Sequence, residues 1–197
     1  MPSSTPHPAF EPLPRYLTQE QVSAFFAVIQ SPRDKALFAL IYLYGLRVSE
    51  VGLLLRSDVD FRRSRIVVKR VKAGVWTERP LLSRLRELLE AYFSCAGEPA
   101  VYLFPGRKGP LKKRQVQALF TRYARAAALP IRLTCHGLRH SIATHLLDTE
   151  LPLEFVQDHL GHRNIRSTSI YARITDRRRL AAFDQIERSP WVVMPGN

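Results

Sequence analysis

The chain has 197 residues, of which 46% are hydrophobic, enough for one buried core with a small subdomain at most. Its 30 Lys and Arg against 17 Asp and Glu give a formal net charge of +13, which indicates a polyanionic partner, with nucleic acid as the first candidate. The aromatic content of 10% argues against a disordered basic tail, two cysteines imply no disulfide framework, and no segment resembles a signal peptide or a membrane span. The composition therefore predicts a soluble cytoplasmic protein, although a ribosomal protein or one that binds anionic membranes would share the charge.

A proline-rich arm is predicted to come first. Five prolines lie in the first 14 residues, so residues 1–15 are expected to be flexible or extended. Thr18 and Gln21 have the spacing of a capping box and predict that a helix begins here. The apolar residues of that helix share one side, at Val22, Phe25, Phe26 and Ile29.

Two further helices and a hairpin are predicted next. Ser31-Pro32 begins a helix that ends near Gly45, and a short helix is expected from Val48 to Leu55. Two strands, Arg65–Val71 and Val75–Leu82, then flank an Ala73-Gly74 turn, with Lys72 near the tip.

The next helices include a strongly basic one. Ser83 is the expected N-cap of a helix that runs to Cys95, and residues 105–110 form a loop. Lys112–Ala128 is predicted to be an amphipathic helix that packs Val116, Leu119, Phe120 and Tyr123 inward. Its polar side is the candidate DNA-binding surface, formed by Lys112, Lys113, Arg114, Gln117, Arg122 and Arg125.

Four helices are predicted in the last third of the chain. Thr134 caps a helix that continues through Leu147, and Pro152 begins one that ends near His159. A short helix from Ser167 to Arg173 carries Tyr171, Asp176–Ile186 forms a terminal helix, and residues 188–197 form a tail.

Several separated motifs carry the functional signal. The segments are Tyr44-Gly45-Leu46-Arg47-Val48-Ser49-Glu50, the hairpin Lys72, His136 to Leu147, Leu160-Gly161-His162 and Tyr171. In this order they resemble the catalytic domain of tyrosine recombinases of the lambda-integrase and Xer type, over residues 16–187. The resemblance implies a mixed, mainly α fold with a small antiparallel β-sheet, and a site-specific recombinase or integrase that cuts and rejoins DNA.

The resemblance also implies how a phosphodiester would be held. Arg47 and Arg139 would bind the phosphate oxygens, because a guanidinium is a planar, permanently charged fork. His162 would donate a hydrogen bond to the same group. Glu50, one turn after Arg47, would orient the basic groups from behind.

Covalent chemistry would fall to three more residues. Tyr171 would attack as nucleophile and form a 3′-phosphotyrosine, His136 would act as base, and Lys72 would protonate the departing 5′ oxygen. Since the covalent link keeps the bond energy, the resemblance implies no cofactor, metal or ATP. Lys69 is a competing choice for Lys72, but its position inside a strand makes it less free to move.

Simpler interpretations apply to the other histidines. His140 and His145 are expected to be structural, and His159 is expected to cap the C-terminus of its own helix. A metal protein would use Cys135, His136, His140, His159 and His162, yet Gly137 follows His136 where a zinc protease has Glu. A DNA-binding regulator without catalysis would need only the basic helix and the charge.

The partners follow from the resemblance as well. Double-stranded DNA is the expected substrate, bound by a homo-oligomer that forms a tetrameric synapse, with an accessory DNA-bending or directionality protein as a further partner in the nucleoid. Most members carry a helical core-binding domain before the catalytic domain, and residues 1–17 are too short for one. We therefore expect either a single-domain recombinase, which the arm after Met1 favours, or a catalytic fragment. The C-terminal segment is expected to dock either on its own chain or on a neighbouring protomer.

Overall fold

The computed structural model describes residues 15–70, 75–97, 100–130, 133–149, 151–162 and 168. These residues are mainly helical and include one antiparallel sheet, as expected. In chain order the elements are α1 (Gln19–Ala27), α2 (Pro32–Leu43), α3 (Val48–Val51), a 3-10 turn (Arg56–Asp58), β1 (Val59–Asp60), β2 (Arg65–Arg70), β3 (Val75–Pro80), α4 (Ser83–Cys95), α5 (Lys113–Ala126), α6 (Cys135–Asp148) and α7 (Leu153–Leu160).

Local signals set the first two helices. The capping box is confirmed: Gln21 N donates to Thr18 Oγ1 at 3.3 Å, and Thr18 N donates to Gln21 Oε1 at 3.0 Å. Ser31 caps α2 with Pro32 as its first residue. The C-cap of α2 is Tyr44, and Gly45 follows with a φ of +56°, a backbone conformation that favours glycine.

The third helix is shorter than predicted. It covers Val48–Val51 rather than Val48 to Leu55, because Gly52 ends it and the chain then turns. A Cβ at Gly52 would lie 2.1 Å from the Leu111 carbonyl oxygen, so this turn passes directly against the segment before α5. That close approach is a tertiary constraint that helix propensity does not show.

The hairpin is confirmed, and a third strand joins it. β2 pairs antiparallel with β3, with Val68 opposite Thr77, and the short strand β1, absent from the prediction, pairs with the other edge of β2. Along β2 the buried positions alternate, at Ile66, Val68 and Arg70. This alternation carries an arginine into the interior.

Two predicted caps differ in detail. Leu82 is the N-cap of α4 and Ser83 is its first residue, so the prediction of Ser83 as the cap was wrong. Thr134 occupies the N-cap position of α6 as expected, but its side chain makes no capping hydrogen bond.

The basic helix α5 is slightly shorter than predicted. It begins one residue after Lys112 and ends before Ala128, whose φ of +51° is incompatible with a continued helix.

Two apolar clusters form the interior. The larger joins α1–α5, the sheet and the start of α6, around side chains such as Phe25, Phe38 and Phe120. The smaller lies between α6 and α7, formed by Ile142, Ala143, Leu147, Val156 and Leu160. In the part of the chain that the structure describes, no helix is long and apolar enough to cross a bilayer.

Several predicted features lie outside the described residues. These are most of the N-terminal arm, the hairpin tip with Lys72, the short helix with Tyr171, the terminal helix from Asp176 to Ile186, and the tail.

Candidate active site

Arg47 and Glu50 form a tight local unit at the start of α3. Arg47 Nη1 donates to Glu50 Oε1 at 2.8 Å, and the Arg47 backbone N–H donates to Glu50 Oε2 at 2.9 Å. The Arg47 side chain is 21% exposed and Glu50 is fully buried. Burial alone would raise the pKa of Glu50, but the hydrogen bonds from Arg47 and the charges of Arg70 and Arg47 hold it below its ordinary value. Glu50 is therefore a carboxylate that fixes Arg47.

A second guanidinium reaches the same carboxylate. Arg70 Nη1 donates to Glu50 Oε2 at 3.2 Å and to the Gly45 carbonyl oxygen at 3.1 Å. Its Nη2 donates to the carbonyl oxygens of Tyr44, at 2.8 Å, and His159. The motifs that pointed to the site did not include Arg70. The alternation of β2, in which every second residue from Ile66 faces inward, is the sequence signal that could have found it.

Arg139 lies at the base of the site. It is 1% exposed, and its Nη1 and Nη2 donate to the carbonyl oxygens of Gly45 and Leu160 respectively, the latter at 2.8 Å. The Gly45 carbonyl thus accepts from both Arg70 and Arg139. The turn after α2 and the end of α7 are held together by these two cations.

His136 and His162 complete the group. His162 Nδ1 lies 2.9 Å from Thr168 Oγ1. Burial, followed by the charges of Arg139, Arg47, Arg70 and His136, lowers the pKa of His162 to about 4. The pKa of His136 is also lowered, by desolvation and then by the charges of Arg139, Arg47 and Lys113, although the residue keeps access to solvent. Both imidazoles are neutral near pH 7.

The remaining described histidines have structural contacts. His145 Nδ1 lies 2.9 Å from the Tyr42 hydroxyl, and the His140 ring packs edge-on against His136 with the ring centroids 4.4 Å apart. The expected role of His159 was wrong: its Nε2 donates to the Leu43 carbonyl oxygen, at the end of α2 rather than of its own helix. The reason is tertiary, because α7 ends beside α2.

Lys69 is committed to another partner. Its Nζ lies 2.7 Å from Asp58 Oδ2, and 4.7 Å from the centre of the Trp76 ring. It belongs to the face of β2 opposite Arg70. Lys72 and Tyr171 lie outside the described residues, so the structure brings together Arg47, Glu50, His136, Arg139 and His162 of the predicted set.

The predicted DNA-binding residues share the exposed side of α5. Lys112, Lys113, Arg114, Gln117, Arg122 and Arg125 are all exposed, whereas Val116, Phe120 and Tyr123 are buried. Arg122 is partly engaged, because its Nη2 lies 3.4 Å from the buried Asp34 carboxylate and 2.7 Å from the Tyr123 hydroxyl. The other cations form an exposed basic surface, and among them Lys113 is close enough to His136 for its charge to lower the pKa of that imidazole.

Among the described residues, no group of three His, Cys, Asp or Glu side chains is arranged to hold a metal ion. Cys135, which the metal interpretation needs, is buried, and burial raises the pKa of its thiol to about 12. Near pH 7 Cys135 is therefore a protonated thiol in this environment.

Comparisons with known proteins bear on the family and the fold. Residues 15–178 match the sequence model described as the phage integrase family. Tyrosine recombinase XerA of Thermococcus onnurineus is 38% identical over 169 residues, which cover 83% of this chain and 59% of that protein. The chain therefore spans less than two thirds of that relative. The crystal structure of a XerA recombinase superposes with a TM-score of 0.74 at 25% identity, over 94% of this chain and 67% of that one. XerH bound to its palindromic difH substrate in a post-cleavage complex shares the fold, with a TM-score of 0.74 at 24% identity over 90% of this chain and 54% of that one.

Proposed function

The chain belongs to the phage integrase family of tyrosine recombinases, and on that premise we propose that it cuts and rejoins DNA strands at specific sites through a 3′-phosphotyrosine intermediate. The observation that supports this most is the convergence of Arg47, Glu50, His136, Arg139 and His162, which come from three distant parts of the sequence. A DNA-binding protein without catalysis has no need for such an arrangement.

The cations would neutralise the phosphate. Attack on a phosphodiester builds negative charge on the non-bridging oxygens, and fixed positive groups stabilise it without reorganising. Arg47 offers the partly exposed guanidinium and Arg139 the buried one. When the Thr168 hydroxyl, 2.9 Å away, donates to Nδ1, the His162 proton is on Nε2, and that N–H can be donated to a phosphate oxygen.

The remaining roles follow the order of bond changes. The Tyr171 oxygen forms a bond to phosphorus while the bond from phosphorus to the 5′ oxygen breaks. His136, neutral at pH 7, takes the phenolic proton, and Lys72 gives a proton to the 5′ oxygen. The free 5′ hydroxyl of a second strand then reverses the step, so no cofactor or metal is required.

Covalent trapping tests the proposal directly. The full chain incubated with supercoiled plasmid in EDTA should nick it and leave DNA that partitions with protein on phenol extraction. Tyr171→Phe should still bind DNA and give no adduct, whereas Tyr102→Phe, a control in the segment before α5, should behave as wild type. An adduct in Tyr171→Phe would identify a different nucleophile. Cleavage that EDTA abolishes would favour a metal enzyme, and no cleavage at all would favour a regulator.

A sulfur substitution tests Lys72. A substrate with sulfur in place of the bridging 5′ oxygen has a leaving group that needs no general acid, so it should restore cleavage to Lys72→Ala but not to Arg139→Ala. Lys69→Ala needs no rescue, because Lys69 is paired with Asp58. If the sulfur substrate restores cleavage to Lys69→Ala and not to Lys72→Ala, Lys69 is the general acid instead of Lys72.

DNA would lie across α5. The cations on its exposed side are placed to contact phosphates, and Arg125→Glu should weaken binding more than the same change at Arg122, whose charge Asp34 partly offsets. XerH, which shares the fold, was solved on its difH DNA. We propose double-stranded DNA of the nucleoid as the substrate, a homo-oligomer and tetrameric synapse as the assembly, and an accessory DNA-bending or directionality protein as a further partner.

A further inference from the structure

Arg70 is a buried cation that the proposed chemistry does not use. It is the last described residue of β2, it is 3% exposed, and it lies on the same face of the strand as Ile66 and Val68. An isolated charge in such a position is strongly unfavourable, so its partners must compensate it.

The partners of Arg70 come from three separate elements. Glu50 of α3 supplies a carboxylate, the end of α2 supplies the carbonyls of Tyr44 and Gly45, and the end of α7 supplies that of His159. Carbonyls at helix C-termini carry partial negative charge, which favours a cation there. Arg70 therefore joins the elements that carry Arg47 and His162.

Gly161 shows how closely the guanidinium is enclosed. A Cβ at Gly161 would lie 2.9 Å from Cγ, Cδ and Nε of Arg70, and the Gly161 backbone has a φ of +64°. The chain after α7 thus passes directly over the arginine. The absence of a side chain at this position makes room for it.

The two oxygens of Glu50 divide their charge between two arginines. Oε1 accepts from Arg47 Nη1, whereas Oε2 accepts from the Arg47 backbone N–H and from Arg70 Nη1. Without Arg70, the one carboxylate would face Arg47 alone and neutralise it. With Arg70, the triad keeps a net positive charge, and Arg47 is its partly exposed member.

We propose that Arg70 is a positioning residue that takes up part of the negative charge of Glu50, and thereby leaves Arg47 a net cation toward the scissile phosphate. This inference rests on the proposed role of Arg47 in DNA cleavage. It assigns to Arg70 a function that ordinary core packing would not require, because an apolar residue of similar volume could fill the same space.

Single-turnover cleavage by four variants of the full chain tests the charge effect, with adduct formation measured at saturating protein. Arg70→Met should slow cleavage by about tenfold or more, less than the roughly 100-fold or greater loss expected when a direct phosphate ligand is removed. Its affinity for DNA should change by less than about threefold, because the terminal nitrogens of Arg70 are already bonded to Glu50 and to the carbonyls of Tyr44, Gly45 and His159 rather than to DNA. Lys69→Met, which removes a cation from the opposite face of the same strand, should cleave as wild type.

A second substitution separates charge from packing. Glu50→Gln combined with Arg70→Met removes the carboxylate that would neutralise Arg47, so the double variant should cleave at least about threefold faster than Arg70→Met alone. A structural role would make the double variant equal or worse. Arg70→Lys, which keeps the charge, should stay within about threefold of wild type and decides the matter if Arg70→Met does not fold.

The outcomes distinguish a failure of the proposed function from a failure of the inference about Arg70 alone. If the wild-type chain forms no adduct, the proposed function and this inference both fall. If the wild-type chain forms adduct, the inference alone is overturned by wild-type cleavage in Arg70→Met, by a double variant no faster than Arg70→Met, or by a large loss in folded Arg70→Lys.

Discussion

The two apolar clusters hold their helices in different ways. α2 is buried on nearly all sides in the large cluster, where Leu37, Phe38 and Leu40 are fully enclosed. α7 buries only Val156 and Leu160. Its other attachments are polar: Arg70 and Arg139 donate to its last carbonyls, His159 donates to the Leu43 carbonyl oxygen, and Asp158 pairs with Arg79.

This difference bears on the site because α7 leads directly to His162. A helix held by apolar contacts keeps its position over a wide range of pH and salt, whereas one held by charged groups responds to both. We therefore expect the large cluster to set the stability of the protein and the polar contacts of α7 to set the geometry of the site. Four experiments test this division.

The largest effect should come from matched leucine truncations. Leu37→Ala, in the large cluster, should lower the free energy of unfolding by about 4–5 kcal/mol, because the surrounding core cannot collapse into the cavity. Leu147→Ala, equally buried in the small cluster, should cost about 2–3 kcal/mol. Urea unfolding of both variants measures the pair. Equal losses in the free energy of unfolding of the two variants would show that the two clusters are packed equally well and unfold together.

Acid should loosen the region around α7. Burial is the first cause that lowers the pKa of His140, His159 and His162 to about 4, from an ordinary value of 6.5. The folded state then binds fewer protons than the unfolded state, so this stability is present above pH 6.5 and is lost as the pH falls toward 4.

Between pH 7 and pH 5 we expect the free energy of unfolding to fall by about 2 kcal/mol or more, a window that lies above the ordinary pKa of carboxylates. Thermal unfolding at a series of pH values measures it. His159→Gln keeps a donor for the Leu43 carbonyl oxygen and cannot titrate, so it should flatten the slope. If the slope of the free energy of unfolding against pH is unchanged in this variant, protonation of His159 does not contribute to the loss of stability in acid.

A smaller loss of stability is expected from Gly161→Ala. The new Cβ would meet Arg70 and would force a positive φ on alanine, which together should cost about 1–3 kcal/mol. Expressed as free energy, the loss in cleavage rate should exceed the loss in the free energy of unfolding, because the new Cβ displaces Arg70. Gly97→Ala is the matched control, because a Cβ there has no atom within 4 Å. Normal cleavage by Gly161→Ala would show that the site tolerates displacement of Arg70.

The smallest effect should come from the surface ion pair of α7. Asp158 is 63% exposed and lies 2.7 Å from Arg79, so Asp158→Asn should cost less than about 1 kcal/mol. The difference from wild type should vanish in 1 M salt, where exposed charges are screened. A larger loss that persists in salt would mean that this pair, rather than the buried arginines, anchors α7.

The parts of the site that lie close together in sequence were predictable. Arg47 and Glu50 are three residues apart at the start of a helix, so their pairing follows from local geometry. The segment from His136 to Arg139 belongs to one helix and was recognised by its motif. Arg70 was not, because an arginine at the end of a strand is ordinarily a surface residue.

The sequence by itself determined the features that depend on neighbouring residues: the capping box at Thr18, the start of α2 at Ser31-Pro32, its end at Gly45 and the hairpin. Only the tertiary structure decided which distant groups meet. Arg70 reaches Glu50 and His159 across 20 and 89 residues, and His159 reaches Leu43 across 116. The reason is that hydrogen bonds along a helix or across a turn follow from spacing in the chain, whereas the compensation of a buried charge depends on whichever carboxylates and carbonyls the packed helices bring to it.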